Sequence, residues 1–412
     1  MKNDIDALMQ AQNLDALLVT GGLMHNPAMV YWTGIANVLH ADLIKMRGKE
    51  PVMFHSIIER DEARRTGLET ICYSKYDWNA MLEEAGGDLH KARALQYKSM
   101  FNDVGLTEGM RVGIYGKVEL HTFLADLEQL KNQLPAIIWV FNSDVDVIQK
   151  AKETKDTVEI ERIRSVGQRA LKIVDEIKNY LSSRQVKGEI VLDECANPLT
   201  IGQVHARINR LVSECGLETP EGFIFAIGRD AGFPHNAGNP DDVIKLGKTI
   251  VYDFYPCERG GGYFYDFTRT WCLGYADSET IDVYNSVKNV YYQMLDDVRI
   301  NAHFYDFQKQ ACRLFEERGF PTVLSTPGTS DGYIHGLGHG IGLNIHETPL
   351  CRASFGEDDV IKPNAVITIE PGLYFPDKEM GVRIENSFLI TESGQLEELV
   401  SYPDDLIVPM KA

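Results

Sequence analysis

Two short apolar stretches each carry a pair of acidic residues set symmetrically about a turn. In TIVYDFYPCERGGGYFYDFTRTW, Asp253 and Asp266 flank Arg259-Gly260-Gly261-Gly262; in VITIEPGLYFPDKEMGVRIEN, Glu370 and Glu385 flank Pro376-Asp377-Lys378. The midpoint lies between residues 259 and 260 in the first case and between 377 and 378 in the second. As bulge-free hairpins, each pair would face itself across two strands with Cβ atoms about 5 Å apart, and like charges so placed destabilise a sheet. A chain that does this twice is built to hold cations. His339, in the histidine-rich segment HGLGHGIGLNIHE between the two hairpins, adds an imidazole to the four carboxylates. The set predicts a two-metal site.

At 412 residues the chain suits two domains. Its 44% apolar and 25% charged residues are ordinary for a soluble globular protein. A formal charge of −19 argues against nucleic acid, whose phosphates need basic patches, and against an anionic membrane surface. The surplus acid reads as solvated carboxylates, part of it used on metal. The seven cysteines are scattered without any CxxC, which suggests neither a disulfide framework nor a thiolate zinc site and fits a reducing compartment. Cys257 and Cys272 read as small buried hydrophobes. MKNDIDALMQAQNLDALLV has no basic region leading into an apolar run, and no stretch approaches 18 apolar residues, so a cytoplasmic location is expected.

Residues 1–150 alternate β-rich runs near 16–20, 52–55, 69–73, 111–116 and 136–141 with helical stretches near 3–13, 58–66 and 120–132. That alternation predicts a three-layer α/β domain. The charged stretch Lys150–Glu161 opens a long amphipathic helix with Ile160, Ile163, Val166, Ala170, Val174, Ile177 and Leu181 on one face, and the domain boundary is placed just before it, near 150. Thr200-Ile201-Gly202-Gln203 reads as a capping box that starts a second helix, with Gly216 as its stop. Two more helices fit 278–299 and 304–318. With FIFAIG (223–228) and the hairpin strands around them, residues 151–412 are predicted to be α+β, with antiparallel hairpins and helices grouped on one face. The triple glycine at 260–262 is a turn, since no Lys-Ser/Thr follows and no helix opens there.

These residues resemble the pita-bread metallopeptidases: prolidase, proline-specific aminopeptidase and methionine aminopeptidase. The motifs that carry the resemblance are the Asp253…Asp266 hairpin ending in Asp-Phe-Thr-Arg-Thr, His335-Gly-Leu-Gly-His339-Gly-Ile-Gly…His346-Glu, Ile-Glu370-Pro-Gly and Arg383-Ile-Glu385, in the family's order over 235–385. The segment before them is similar to the α/β domain carried by creatinase, prolidase and proline-specific aminopeptidase, including the patch Tyr31-Trp32-Thr33-Gly34. The resemblance implies a creatinase-type α/β domain over 1–150 and a catalytic α+β pita-bread domain over 151–412. It also implies a dinuclear centre, with Asp253 holding one ion through both oxygens, Asp266 and Glu385 bridging, and His339 and Glu370 completing the second. Hard oxygen donors favour manganese, with cobalt or zinc as alternatives. Closely spaced ions lower the pKa of a bridging water and polarise the substrate carbonyl. The implied reaction is hydrolysis of Xaa-Pro bonds in a small peptide by a metal-bridging hydroxide, as a dipeptidase or an aminopeptidase.

By the same resemblance, His235 contacts the substrate near the scissile bond, and His346 hydrogen-bonds the tetrahedral intermediate as an oxyanion donor. Glu370 carries a proton from the metal-bound water. Arg383, two positions before Glu385 on one strand face, orients the carboxylates and offsets their charge. His335 reads either as a substrate-side residue or as support for His339. Residues 341–345, between His339 and His346, alternate like a strand. Arg352 stands loosely where proline dipeptidases carry an arginine for the substrate's C-terminal carboxylate, so a longer peptide remains open. Relatives with this N-terminal domain imply a homodimer, for which Tyr31 and Trp32 offer an apolar anchor, with core packing the other use for both. Two further readings stay open: a metal-dependent enzyme of the same fold acting on a non-peptide C–N or related bond, and a non-catalytic binding protein. The second is disfavoured because buried unpaired carboxylates are costly without a function.

Overall fold

In the computed structural model, which describes residues 4–141, 146–353 and 359–411, the strand Ala16–Gly21 is buried at every position. Both of its faces therefore have to be covered. Alternate residues feed two separate cores, as the two-residue period of a strand dictates. Leu17 and Val19 pack with Leu43, Met53 and the helix residues Ile5, Met9, Met29 and Ile148. Ala16 and Leu18 pack with Ile44, Phe54, Val112 and the helix residues Tyr97, Phe101 and Leu130. The sheet between these cores has six strands in the order Glu69–Cys72, Val52–His55, Ala41–Met46, Ala16–Gly21, Arg111–Lys117, Ile138–Val140. Ala41–Met46 is antiparallel to both neighbours and Arg111–Lys117 is parallel to both of its own. The α/β expectation holds.

Several elements of this part escape the sequence reading, among them helix Val147–Lys152, which precedes the long helix expected to open at Lys150. Strand Ala41–Met46 is masked by Asp42 and Lys45, both buried: Asp42 accepts the hydroxyls of Tyr73 (2.6 Å) and Tyr97 (2.7 Å), and Lys45 bonds Asp6 (2.7 Å). Helix Leu89–Val104 fills buried positions with Ala92, Ala94 and Gln96, so its apolar stripe is faint. Helices Pro27–Thr33 and Trp78–Glu84 are only seven residues each, too short to show a period. Tyr31 and Trp32 lie on the first of these, ring against ring at 4.9 Å and packed on the core, so of the two uses open to them it is core packing that the fold displays.

The chain divides into two compact units, Met1–Lys152 with Gly260–Gly262, and Glu153–Arg259 with Tyr263–Ala412. In the second, Asp156 and Glu159 form a reciprocal capping box that starts the 26-residue helix Thr157–Ser182, and all seven predicted face residues are buried. Helix Ile201–Glu214 starts on the Thr200/Gln203 box. Helices Ser278–Asp297 and Phe304–Glu317 bury Val287, Met294, Phe307 and Phe315 against Ile367, Ile369, Val382 and Phe388. The strands form a four-stranded sheet (Ile224–Ile227, Thr249–Asp253, Thr268–Leu273, Ile407–Val408) and a five-stranded one (Glu347–Leu350, His339–Gly340, Val366–Ile369, Asn386–Ile390, Leu396–Glu398). This is the expected α+β arrangement.

The first hairpin departs from its expected register. Gly260 and Gly261, with φ of +96° and +82°, occupy its tip, one residue later than symmetry about the acidic pair requires. Positive φ at both central positions is the conformation that two-residue hairpin turns demand and that glycine adopts freely. Asp253 therefore faces Thr268, not Asp266. Displacing the turn by one residue moves each partner by two, so Asp266 stays on the face of Thr268, diagonal to Asp253.

The second hairpin keeps the expected register. Gly372 faces Arg383 and Phe375 faces Met380, while Ile369 faces Asn386 in the same register on the other side of a gap. Glu370 and Glu385 stand in that gap, beside Pro371, which has no N–H to give the ladder. The backbone N–H of Glu370 goes to Leu337 O (2.8 Å) and that of Glu385 to Thr268 O (3.1 Å). The broken ladder thus turns Glu385 toward the first hairpin, and Thr268 and Glu385 bridge the two.

Residues 341–345 are not a strand. Strands His339–Gly340 and Glu347–Leu350 pair with each other, so the chain between them has to reverse. The apolar alternation there reflects burial of Ile341, Leu343 and Ile345 within a loop.

Candidate metal centre

Cross-strand pairing sets Asp253, Thr268 and Glu385 in one row over three strands, with Asp266 two residues before Thr268 on the same face. Glu370 enters from the ladder gap. His339 heads its short strand with its backbone N–H on Thr368 Oγ1 (3.1 Å). One cavity of about 470 Å³ collects all ten residues singled out in the sequence: Asp253, Asp266, His339, Glu370 and Glu385, with His235, His335, His346, Arg352 and Arg383. His339 Nε2 lies 3.6 Å from Asp266 Oδ2 and 3.5 Å from Glu370 Oε1. Asp266, His339 and Glu385 each offer a ligand atom within 4.8 Å of the others.

These donors fit divalent cations. Asp253 Oδ1 and Glu385 Oε1 are buried without a hydrogen-bond partner, a costly state for a carboxylate oxygen that a bound cation relieves. Burial holds the Asp266 carboxyl well above the usual carboxylate range, with Asp253 and Glu370 adding to the effect. The same holds for Glu385, whose charged neighbours are Asp266, Glu370 and Asp253. Burial pushes Glu370 up to about 8 against the pull of Arg383. Without cations, then, burial favours the protonated forms of Asp266, Glu370 and Glu385.

The histidines are set up as neutral rings. Burial lowers His339 and His335 to about 3, helped by His346 for the first and Arg383 for the second. His339 Nδ1 donates to Gly340 O (3.0 Å), which leaves the Nε2 lone pair facing the carboxylates. His335 Nδ1 donates to Gly336 O (2.7 Å) and its Nε2 accepts from the Tyr374 hydroxyl (2.9 Å), so both nitrogens are committed within the protein. His346, exposed to the cavity, lies edge-to-face against His339 at 4.4 Å. Burial lowers it too, with Glu221 opposing.

Arg383 ties the centre together. It donates to Asp253 Oδ2 (2.5 Å), Thr268 Oγ1 (3.2 Å), the Tyr374 hydroxyl (2.6 Å) and Pro234 O (3.4 Å), the last fixing the loop that carries His235. With Oδ2 taken, Asp253 has Oδ1 left for a cation. Arg352 stands at the cavity wall, 62% exposed and 3.2 Å from the buried Asp359.

Three residues of the centre were not found by sequence reasoning. The Thr268 hydroxyl donates to Glu385 Oε2 (2.6 Å) and so aims that carboxylate. Arg269, 1% exposed, donates to the carbonyls of Thr268 and Glu385 (2.9 Å each) and Tyr402 (2.7 Å), pinning the bridge between the hairpins. Tyr374 links Arg383 to His335. Thr268 and Arg269 lie inside the Asp-Phe-Thr-Arg-Thr motif, and a polar pair next to Asp266 in an apolar strand was the available signal. Tyr374 gave none, being one more aromatic in a β-rich run.

The signature of metallopeptidase family M24 matches residues 161–392, more than half of the chain. The Xaa-Pro dipeptidase of Pyrococcus furiosus is 30% identical over 254 residues, 60% of this chain and 69% of that protein. The probable dipeptidase PepE of Mycobacterium tuberculosis is 27% identical over 265 residues, 64% of this chain and 62% of that protein. Among solved structures, the prolidase from Pyrococcus horikoshii superposes with a TM-score of 0.72 at 23% identity, covering 98% of this chain and 99% of that chain. The Xaa-Pro dipeptidase from Bacillus anthracis does so with a TM-score of 0.74 at 19% identity, covering 98% of each. The fold is thus the pita-bread arrangement behind an N-terminal α/β part that the motifs implied. With its acidic row, its His339 and its 161–392 segment all in place, the chain belongs to metallopeptidase family M24.

Proposed function

We propose that this protein is a divalent-metal-dependent exopeptidase that hydrolyses Xaa-Pro bonds in small peptides. The observation that carries the reading is a single cavity that gathers Asp253, Asp266, His339, Glu370 and Glu385, two of whose carboxylate oxygens are buried without partners, together with His235 and His346. The names of its relatives, Xaa-Pro dipeptidase and prolidase, support it. In this reading residues 1–150 are an accessory domain and 151–412 the catalytic one. Asp253, Asp266, His339, Glu370 and Glu385 would hold two ions, with Asp266 and Glu385 as the shared ligands. Oxygen-rich donors favour manganese over softer-ligand metals. The ions, when bound, supply Lewis acidity toward the scissile carbonyl and toward a water.

The protein's own groups do the rest. Glu370 accepts the water's proton and passes it toward the leaving nitrogen. His235 sits near that nitrogen, held through Pro234 by Arg383. His346 donates to the oxyanion. Arg352 at the wall is placed for a substrate carboxylate, and His335 supports Arg383 through Tyr374. An Xaa-Pro bond has no N–H, so the site need not supply an acceptor there, but it has to protonate a hindered ring nitrogen. Ala-Pro should therefore be cleaved well ahead of Ala-Ala, and His235→Ala should be inactive with both metals retained. Comparable rates on the two dipeptides would move a non-peptide substrate to the front. Adding Ala-Pro-Ala separates dipeptidase from aminopeptidase use.

His346→Ala should lower kcat by about 10²–10³, the usual cost of one oxyanion donor, with metal content unchanged. A rise in KM alone would instead make it a substrate-binding residue. We also take the protein to be cytoplasmic and a homodimer. Among the described residues no helix is long and apolar enough to cross a membrane. Light scattering should give about twice the 46.4 kDa chain mass, and a 46.4 kDa species at micromolar concentration would overturn the dimer.

A further inference from the structure

His346 sits on an irregular loop, and a loop by itself does not hold an oxyanion donor to the tolerance that catalysis needs. Beneath this loop lies a buried pair of opposite charges. Lys155 Nζ donates to Glu347 Oε2 at 3.0 Å, with the two side chains 1% and 0% exposed. Glu347 directly follows His346, whereas Lys155 comes 192 residues earlier, just before the cap of the helix Thr157–Ser182.

The loop is wrapped around this pair. Glu347 Oε1 accepts the Asn344 N–H (3.1 Å). Gly342 lies so close that a Cβ there would come within 2.4 Å of Glu347 Oε2 and 2.9 Å of Lys155 Cε. The Gly342 carbonyl in turn takes the Phe264 N–H (2.8 Å), and the Lys155 N–H goes to Asn364 O (2.7 Å). A buried ion pair seldom gives more stability than apolar residues of the same volume, because desolvation offsets the attraction. What it does supply is direction: two carboxylate oxygens, each with a donor, can hold a loop in only one arrangement.

We propose that Lys155 and Glu347 are positioning residues that hold the 341–346 loop so that His346 points into the cavity. The pair ties that loop to the start of a long helix, and neither side chain is among those lining the cavity. This rests on the peptidase reading, in which His346 acts on the reacting carbonyl.

The test uses Lys155→Met, Glu347→Gln and the double variant, each in the parent and in the His346→Ala background, on metal-loaded protein with Ala-Pro. Hydrogen exchange over 341–346 is followed in parallel. Each single variant should lose about 10- to 100-fold in kcat, the range typical of groups that orient a catalytic residue, with KM within about twofold and metal retained. The double variant should recover part of the loss, since no buried charge is left unpaired and Gln still accepts from Asn344. In the His346→Ala background the same changes should cost less than about twofold, because they act through a residue already gone. Exchange over 341–346 should quicken in the single variants. Equal losses in both backgrounds, or unchanged exchange over 341–346, would overturn the proposal. If a single variant does not fold, the neutral double variant carries the same comparison. Failure of the parent to cleave any Xaa-Pro peptide would overturn the peptidase reading alone, and the exchange measurement then decides the brace.

Discussion

Glu385→Ala is expected to abolish peptide hydrolysis and to leave fewer than two metal ions per chain. Glu385 is the carboxylate on which the two hairpins converge. Its backbone is bridged to Thr268, its Oε2 accepts the Thr268 hydroxyl at 2.6 Å, and its Oε1 is buried without a partner. Asp266 and His339 lie within 4.8 Å of it by their ligand atoms, so the methyl of alanine removes one member of the tightest donor set among the described residues. Changes to groups that only orient metal ligands cost about 10- to 100-fold, and loss of a bridging ligand should exceed that range. Elemental analysis of the purified variant is decisive: full double occupancy would end the bridging assignment even if activity were lost. Asp266→Ala should behave alike.

Metal-free protein is expected to become less stable as the pH rises from about 6.5 to 8, and divalent cation should remove the dependence. The Glu370 carboxyl, ordinarily near 4.5, is pushed up to about 8 by burial, and Asp266 and Glu385 move in the same direction. In that window the folded chain holds the Glu370 proton that the unfolded chain has released, which costs up to about 1.4 kcal/mol of stability per pH unit, and the raised Asp266 and Glu385 act in the same direction. Below 6.5 the buried histidines act oppositely. His335 and His339, lowered to about 3, bind protons more readily in the unfolded chain, which makes stability rise with pH there. That opposing contribution fades as the pH rises above 6.5, and the carboxylates then set the slope. Bound cations keep these carboxylates ionised and stabilise only the folded state. Thermal unfolding at pH 6.5, 7.2 and 8.0, with chelator and with manganese, reads this directly. A chelated protein as stable at pH 8.0 as at 6.5 would refute the idea that the acids are held together at the cost of their charge.

Local rules carried a large part of this protein. The capping box at Thr200, the buried stripe from Ile160 to Leu181 and the register of the Glu370–Glu385 hairpin follow from neighbours along the chain, and each could be read before folding, whereas the Asp156 box, which starts the long helix at Thr157, was passed over. The four acidic ligands stood out because acids in apolar strands are expensive, and that expense shows in one dimension. Elements that local rules describe badly were missed, such as the strand Ala41–Met46, whose Asp42 and Lys45 are paid back by distant tyrosines and Asp6.

Where the chain must choose between nearly equal local options, only packing decided. Three glycines at 260–262 allow the turn in more than one place, and the folded protein put it at Gly260 and Gly261, which moved Asp266 from opposite Asp253 to a diagonal position. The symmetry of the second hairpin did not show that its ladder would break beside Pro371 and let Glu385 reach Thr268, 117 residues away. Nor could the spacing tell that His335 would be committed through Tyr374 to Arg383, or that the loop bearing His346 would close over Lys155 and Glu347. The sequence determined which residues are chemically costly to bury, because that cost belongs to each side chain. The tertiary structure decided which partner meets each cost, because hydrogen bonds and ion pairs depend on distances between segments far apart in the chain.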